Sequence, residues 1–140
     1  MIIDRLKRFP KSYISYMNRM LADKDVNFAC HPYLFVLSEF KSMNIVELTN
    51  YVHFDKAHTS RILKKMQKED LVKIASLEND ARAKIVSLTK RGRAISDLSE
   101  RYTKEWEELL FEGLSDEEIL TFTSVLDKMI VNANKQENNN

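Results

Sequence analysis

Apolar residues in the first third of the chain recur every three or four positions, which is the spacing of amphipathic helices. The first such segment covers residues 2–22, where Pro10 either kinks the helix or marks its true first turn. A second helix opens at His31 and Pro32, since a proline in the first turn loses only an N–H that would be unpaired anyway. Its apolar positions predict a buried face formed by Leu34, Leu37 and Phe40.

The last third of the chain predicts two more helices. Thr89 caps a long helix that Gly113 ends. Residues 115–118 form a capping box, with a serine at the cap and a glutamate three residues on, and the final helix runs to about Asn132. The polar tail, residues 135–140, has no apolar anchor and is expected to be disordered.

The middle of the chain predicts two short helices joined by a tight corner. Asp55 is placed to cap the second helix by accepting backbone N–H bonds at its start. Residues 71–75 and 84–88 are β-prone runs around the polar stretch 78–82, which predicts a hairpin. The helices are expected to bury Ile45, Leu48, Tyr51 and Val52 in the first, and Ile62, Leu63 and Met66 in the second.

The resulting order is helix, helix, helix-turn-helix, β-hairpin, long helix, helix. A helix-turn-helix followed at once by a two-stranded hairpin is a winged helix, and the second helix of such a pair enters the DNA major groove. The predicted fold is therefore mainly α with a small β-hairpin wing.

Composition narrows the functional classes. The 140 residues suit a single domain, 1–140, and two glycines and two prolines are few for a sheet-rich fold. Cys30 is the single cysteine, which excludes a disulfide framework and a multi-cysteine zinc site, and we expect no metal and no cofactor. No run approaches the roughly 20 apolar residues of a membrane span, so a cytoplasmic protein is expected. The sequence has no phosphate-binding loop and no nucleophile–base arrangement, so we do not expect an enzyme.

Charge is distributed unevenly although the net charge is only +1. Residues 53–93 carry 11 lysines and arginines against 5 aspartates and glutamates, and residues 97–140 carry 4 against 11. A basic middle suits a polyanion such as DNA, although two solvated helix faces would give the same asymmetry.

The second helix of the pair and the wing carry the predicted DNA contacts. The first turn of the helix faces base edges, and its basic side chains continue to Lys68 as a stripe that suits phosphates. At the wing tip Asp80 can orient Arg82 toward the minor groove, because residues two apart share one side of an extended segment. A generic surface salt bridge is the competing interpretation. The predicted DNA-binding residues are Lys56, Ala57, His58, Ser60, Arg61, Lys64, Lys65, Asp80, Arg82 and Lys84.

Residues 71–93 resemble the wing and following helix of MarR-family transcriptional regulators. The family pattern there is D-x-R, a strand ending V-x-L-T, then a basic residue and a glycine. This chain has D-A-R at 80–82 and V-S-L-T at 86–89. Residues 54–66 are similar to the family's recognition helix, and residues 32–37 to the helix before it.

The resemblance implies a homodimer, with a winged helix-turn-helix over residues 32–91 and dimerisation helices over 1–25 and 92–134. Arg82 would enter the minor groove with Asp80 orienting it. Two-fold symmetry implies a pseudo-palindromic operator with half-sites about one turn, roughly 34 Å, apart, and we expect repression. A dimer would also cover the apolar side chains of Trp106, Leu109, Phe111, Phe122 and Met129.

Two positions depart from the family pattern. Asp70 stands where the family usually has glycine, and aspartate tolerates the left-handed backbone of that position better than most residues. Ile74 replaces a frequent arginine, so one phosphate contact is expected to be missing.

Many members of the family respond to small aromatic acids or oxidants, which implies a crevice between the reading part and the dimer helices. The residues that could line this crevice are given at the end of this paragraph, and packing in the core or at the dimer interface is the simpler interpretation of them. Cys30 beside His31 is a candidate oxidant sensor, although the family's hydroperoxide sensors place their cysteine early in the first helix. Two alternatives to a DNA-binding repressor released by a small molecule stay open. One is a thiol-based redox regulator, and the other is a winged helix that contacts another protein. The candidate effector-pocket residues are Tyr13, Tyr16, Met17, Arg19, His31 and Tyr33.

Overall fold

The structure, a computed structural model, describes residues 1–77 and 79–137, without the side chains of residues 80–82, 136 and 137. The described part confirms the mainly helical fold with a β-hairpin. Its helices and strands are α1 (Ile2–Leu6), α2 (Arg8–Met20), α3 (His31–Glu39), β1 (Met43–Asn44), α4 (Ile45–Val52), α5 (Lys56–Lys68), β2 (Val72–Leu77), β3 (Asp80–Leu88), α6 (Lys90–Phe111) and α7 (Asp116–Glu137).

The first helical segment is two helices and not one. α1 ends at Leu6 and α2 begins at Arg8, which places Pro10 in the first turn of α2. Proline has no N–H to bond the carbonyl of Leu6, the residue four positions earlier, so the regular ladder is interrupted where the helix divides. Of the two roles predicted for Pro10, the first-turn role is the observed one.

The hairpin strands belong to a three-stranded antiparallel sheet with the order β1-β3-β2. Val86 of β3 is fully buried and pairs with Met43 on one side and with Ile74 on the other. β1 was not predicted, because two residues carry no alternation and their strand conformation depends on pairing with the distant β3.

The helix-turn-helix is formed by α4 and α5. Asn44 caps α4 by accepting the N–H bonds of Val46 at 2.7 Å and Glu47 at 3.2 Å. Asp55 caps α5 as predicted, with its Oδ1 accepting the N–H of His58 at 2.7 Å. Between the helices the chain turns at His53, whose φ of 56° is the left-handed conformation that ends many helices.

The core is formed by the inner faces of α3, α4 and α5 and by the sheet. Leu34 and Leu37 of α3 and Leu48 of α4 are buried as predicted. Phe40 and Tyr51 are not, with 40% and 55% of their surfaces exposed. α3 ends before Phe40, whose backbone is extended, and Tyr51 lies on the outer side of α4. Their two rings pack edge to face, with centroids 5.2 Å apart.

The wing joins α6 through a close backbone contact. A Cβ at Gly92 would lie 1.9 Å from the carbonyl oxygen of Leu71, so only glycine fits there. Thr89 caps α6 as predicted, accepting the N–H of Gly92 at 2.9 Å, and its hydroxyl donates to the carbonyl of Asp70. Asp70 has φ of 58°, which agrees with the left-handed conformation expected at this position.

The chain divides into two compact units, residues 1–106 and residues 107 onward, with the boundary inside α6. In the second unit α6 ends at Phe111, Gly113 has φ of 79°, and the predicted capping box is present, since Ser115 and Glu118 bond each other's backbone N–H groups. α7 is longer than predicted and reaches Glu137. Residues 138–140 of the predicted tail lie outside the described part. None of the described helices is apolar over a length that would cross a membrane.

Candidate nucleic-acid interface

α5 has one buried face and one exposed face. Thr59, Leu63 and Met66 point into the core, where the hydroxyl of Thr59 lies 3.2 Å from that of Tyr33. Because the spacing of four and three residues fixes one face of a helix, the positions on the opposite side face outward. The exposed side chains on α5 that were predicted to contact DNA are Lys56, Ala57, Ser60, Arg61 and Lys64.

Two other predicted contacts on α5 are half-buried. The ring of His58 packs against Phe54 with centroids 4.5 Å apart, and its backbone N–H is held by Asp55. Lys65 follows His58 by two helical turns and therefore lies on the same side of α5, where it lines a shallow depression with Glu69. The structure therefore places these two residues at one edge of the exposed face of α5.

A cleft of about 550 Å³ lies between α5, the start of α4 and the wing, and we call it the wing cleft. Among the described residues, none that lines this cleft is acidic. Lys84, the only predicted wing residue with a described side chain, is exposed and lines it, whereas the side chains of Asp80 and Arg82 lie outside the described part. The lining residues are Asn44, Ile45, Val46, Lys56, Ser60, Leu63, Lys64, Gln67, Ile74, Ser76, Ala83 and Lys84.

Three polar residues of the wing cleft were missed by the sequence analysis: Asn44, Gln67 and Ser76. Gln67 was detectable, since it continues the spacing of Ser60 and Lys64 along one side of α5. Ser76 was detectable from strand alternation with Ile74. Asn44 was not, because its position depends on the unpredicted strand β1.

The candidate effector residues divide into separate groups. Tyr13 and His31 belong to an aromatic cluster in which the Tyr13 ring lies 4.9 Å from Trp106 and 5.4 Å from Phe28. Met17 and Tyr33 are fully buried in the core. Tyr16 instead contacts the guanidinium of Arg19, which lies 5.6 Å from the centre of its ring.

A hydrogen-bond chain assigns the proton of the neutral His31 ring to Nε2. The hydroxyl of Thr103 donates to the carbonyl of Ser99, so the hydroxyl of Tyr13, 2.7 Å away, donates to Thr103. The Tyr13 oxygen then accepts from Nε2 of His31 at 3.3 Å, which leaves Nδ1 as a bare acceptor, buried and without a partner among the described residues. Burial also lowers the pKa of His31.

Cys30 is fully buried. Burial, followed by the charge of Glu69, raises the pKa of its thiol to about 11. A reactive cysteine needs solvent access and a lowered pKa, so this environment disfavours the alternative in which Cys30 is a redox sensor. Within the described residues no group of three histidine, cysteine, aspartate or glutamate side chains is placed to hold a metal ion.

Comparisons with known proteins agree with this architecture. The model of the MarR family matches residues 31–84. The HTH-type transcriptional regulator SarZ of Staphylococcus aureus (strain MRSA252) is 32% identical over 103 residues, which cover 73% of this chain and 67% of SarZ.

Two solved structures share the fold. A MarR transcriptional regulator from Methanosarcina mazei Go1 has a TM-score of 0.82 at 24% identity, over 96% of this chain and 90% of that one. A MarR mutant from E. coli, complexed with operator DNA, has a TM-score of 0.77 at 22% identity, over 92% of this chain and 94% of that one. The winged helix, the family match and the similarity to SarZ agree: this chain belongs to the MarR family and is a DNA-binding regulator of transcription, not an enzyme.

Proposed function

We propose that this chain is a homodimeric repressor that acts in the cytoplasm, binds a pseudo-palindromic operator and releases it when a small aromatic acid binds. The observation that carries the proposal is the exposed face of α5, which presents Lys56, Arg61 and Lys64 while the other face of the helix is buried. Such a helix reads the major groove in winged-helix proteins.

The wing supplies the second contact of the proposal. β3 begins at Asp80, so Asp80 and Arg82 belong to the strand end nearest the hairpin turn. Arg82 reads the narrow minor groove, and Asp80 orients it.

Arg82→Ala is expected to weaken operator binding about 10- to 100-fold, the size of one lost specific contact, while the dimer stays intact. Unchanged operator affinity would remove the wing from the proposal.

Exposed apolar helices support the dimer. In the first unit Ile2, Ile3, Phe9 and Ile14 are 37–63% exposed along α1 and α2. In the second unit Leu120, Phe122, Val125, Ile130 and Val131 are 48–71% exposed along α7. Monomers rarely expose so much apolar surface, and a second copy of the chain would cover it. The dimer would then carry two winged helices related by two-fold symmetry, which require two half-sites in the operator.

The effector is proposed to bind at the aromatic cluster around Tyr13 and His31. Trp106 is the single tryptophan of the chain and lies against Tyr13, so its fluorescence reports on this cluster. Titration with benzoate is expected to change Trp106 fluorescence and to release DNA over the same concentration range. Benzoate that leaves both signals unchanged would remove aromatic acids from the proposal.

The test of the whole proposal is binding to genomic DNA. Fragments selected from the source genome and random DNA of the same length are titrated across a salt series. We expect the selected fragments to bind more tightly than random DNA and both affinities to fall steeply with salt. If neither DNA binds at low salt, the proposal fails and the winged helix serves protein contact instead.

A further inference from the structure

His31 joins three helices through one hydrogen-bond chain. It is the first residue of α3, which leads into the winged helix, and its Nε2 donates to the hydroxyl of Tyr13 on α2 at 3.3 Å. That hydroxyl donates in turn to Thr103 on α6 at 2.7 Å. α2 and α6 belong to the helices that the proposed dimer uses. The chain therefore connects the winged helix to the dimer helices through a titratable ring.

The second nitrogen of this ring has no partner. Nδ1 of His31 is buried, and none of the polar groups in the described part of the chain bonds it. The ring of Phe28 stacks on the imidazole with centroids 5.3 Å apart, and it offers no hydrogen-bond acceptor. A neutral ring tolerates this arrangement, since Nδ1 is then only an unused acceptor. A proton on Nδ1 would create a buried N–H and a buried positive charge with nothing to accept from them.

The surroundings of the ring do not compensate such a charge. α2 presents Tyr13 to it, the turn before α3 presents Phe28, and α6 presents Thr103 and Trp106 beyond the ring of Tyr13. These side chains are uncharged near neutral pH. No carboxylate within the described residues forms an ion pair with His31. Burial accordingly lowers the pKa of His31.

Protonation of the ring must therefore change the structure. A ring that takes up a proton at Nδ1 escapes the penalty only by leaving the cluster, and it then loses its bond to Tyr13. Resting on the proposed binding of an operator, we propose that His31 is a proton-operated switch. The neutral ring holds the winged helix in the orientation that the operator requires, and the protonated ring releases it.

The size of the effect follows from proton linkage. In the released conformation the ring is solvated and has the ordinary histidine pKa of about 6.5. Lowering the pH from 7.5 to 5.5 then shifts each chain toward the released conformation by about 10-fold. An operator requires a fixed orientation of both winged helices, whereas random DNA does not. We therefore expect the preference for operator over random DNA to fall about 10-fold across this range.

The experiment measures the affinities for a selected operator and for random DNA of the same length at pH 7.5 and pH 5.5, at one salt concentration. The ratio of the two affinities is compared, because protonated histidines close to phosphates would strengthen binding to both duplexes. His31→Gln retains an N–H donor for Tyr13 but cannot titrate. Its ratio should be the same at both pH values, while that of the unaltered protein falls about 10-fold.

The matched control is Ser38→Gln. It introduces the same residue into the same helix, at an exposed position away from the aromatic cluster. Its ratio should fall with pH as that of the unaltered protein does.

The unaltered protein supplies a second measurement that needs no variant to fold. Trp106 is the single tryptophan and lies 4.9 Å from the ring of Tyr13, so its fluorescence should change over the same pH range as the affinity ratio. The imidazole ¹⁵N shifts of His31 at pH 7.5 should show the proton on Nε2 and a bare Nδ1. Circular dichroism should stay constant between the two pH values, because the switch releases one ring and does not unfold the helices.

The outcomes separate this inference from the proposed function. Unaltered protein that prefers the operator equally at both pH values overturns the switch and leaves the proposed function standing. An equal fall in His31→Gln, a proton on Nδ1 at pH 7.5, or a loss of helix between the two pH values also overturns the switch. Unaltered protein that binds neither duplex at pH 7.5 overturns the proposed function and this inference with it.

Discussion

At the residue scale, Gly92 fixes how the wing meets α6. Its α-carbon lies against the backbone of Leu71, and the Thr89 cap bonds both sides of the same joint. The carbonyl of Leu71 also accepts the N–H of Thr89 at 3.1 Å, so it cannot move away without losing that bond. The glycine of the family pattern therefore has a steric reason in this chain.

We expect Gly92→Ala to lower the free energy of unfolding by about 1–3 kcal/mol, the usual cost of inserting a methyl group where no space exists. The measurement is urea unfolding at fixed protein concentration. Arg93→Ala, an exposed neighbour on the same helix, is the control and should change stability by less than about 0.5 kcal/mol. Equal stabilities of the two variants would contradict the close contact.

His31 gives a prediction about pH. Burial lowers its pKa from the ordinary value of 6.5, so below pH 6.5 the unfolded chain takes up a proton before the folded chain does. The contribution of neutral His31 to stability is therefore complete above pH 6.5 and is lost as the pH falls through its lowered folded pKa.

Urea unfolding between pH 5 and pH 7.5 measures this loss. His31→Gln cannot titrate, so its stability should fall less on acidification than that of the unaltered protein. If acidification destabilises the His31 variant as strongly as the unaltered chain, the buried neutral imidazole is not the cause.

At the element scale, local sequence signals made the starts of the helices predictable. Asp55, Thr89 and the 115–118 box are caps whose chemistry acts within one helical turn, and all were predicted and observed. The β1 strand and the outward positions of Phe40 and Tyr51 were not predicted. They depend on where α3 ends and on pairing with a distant strand, which periodicity within one segment does not contain.

The interface was predictable to a similar extent. The exposed face of α5 follows from helical spacing, which gave Lys56, Ser60 and Lys64. The wing cleft does not follow from spacing, because it exists only where α5, α4 and the hairpin meet. Cys30 shows the same limit, since adjacency to His31 suggested reactivity and the packing around it buries the thiol.

At the scale of the whole molecule, the proposed dimer places two winged helices on one duplex. The apolar side chains of α7 are the part of this proposal that mutation tests best. Phe122→Glu puts a charge at a half-exposed apolar position, and we expect it to shift the chain toward monomer. Thr121→Glu, its exposed polar neighbour, should leave the assembly unchanged. Sedimentation velocity measures both, and a Phe122 variant that assembles like the Thr121 variant would contradict a role for α7 in the dimer.

Hydroxyl-radical footprinting on a selected operator reports DNA contact and symmetry together, so it tests the two-headed DNA-binding dimer. We expect two protected segments related by two-fold symmetry, with centres about 10 base pairs, or roughly 34 Å, apart. A single protected segment would contradict the two-headed dimer. An operator with no protected segment would contradict DNA binding through the winged helix.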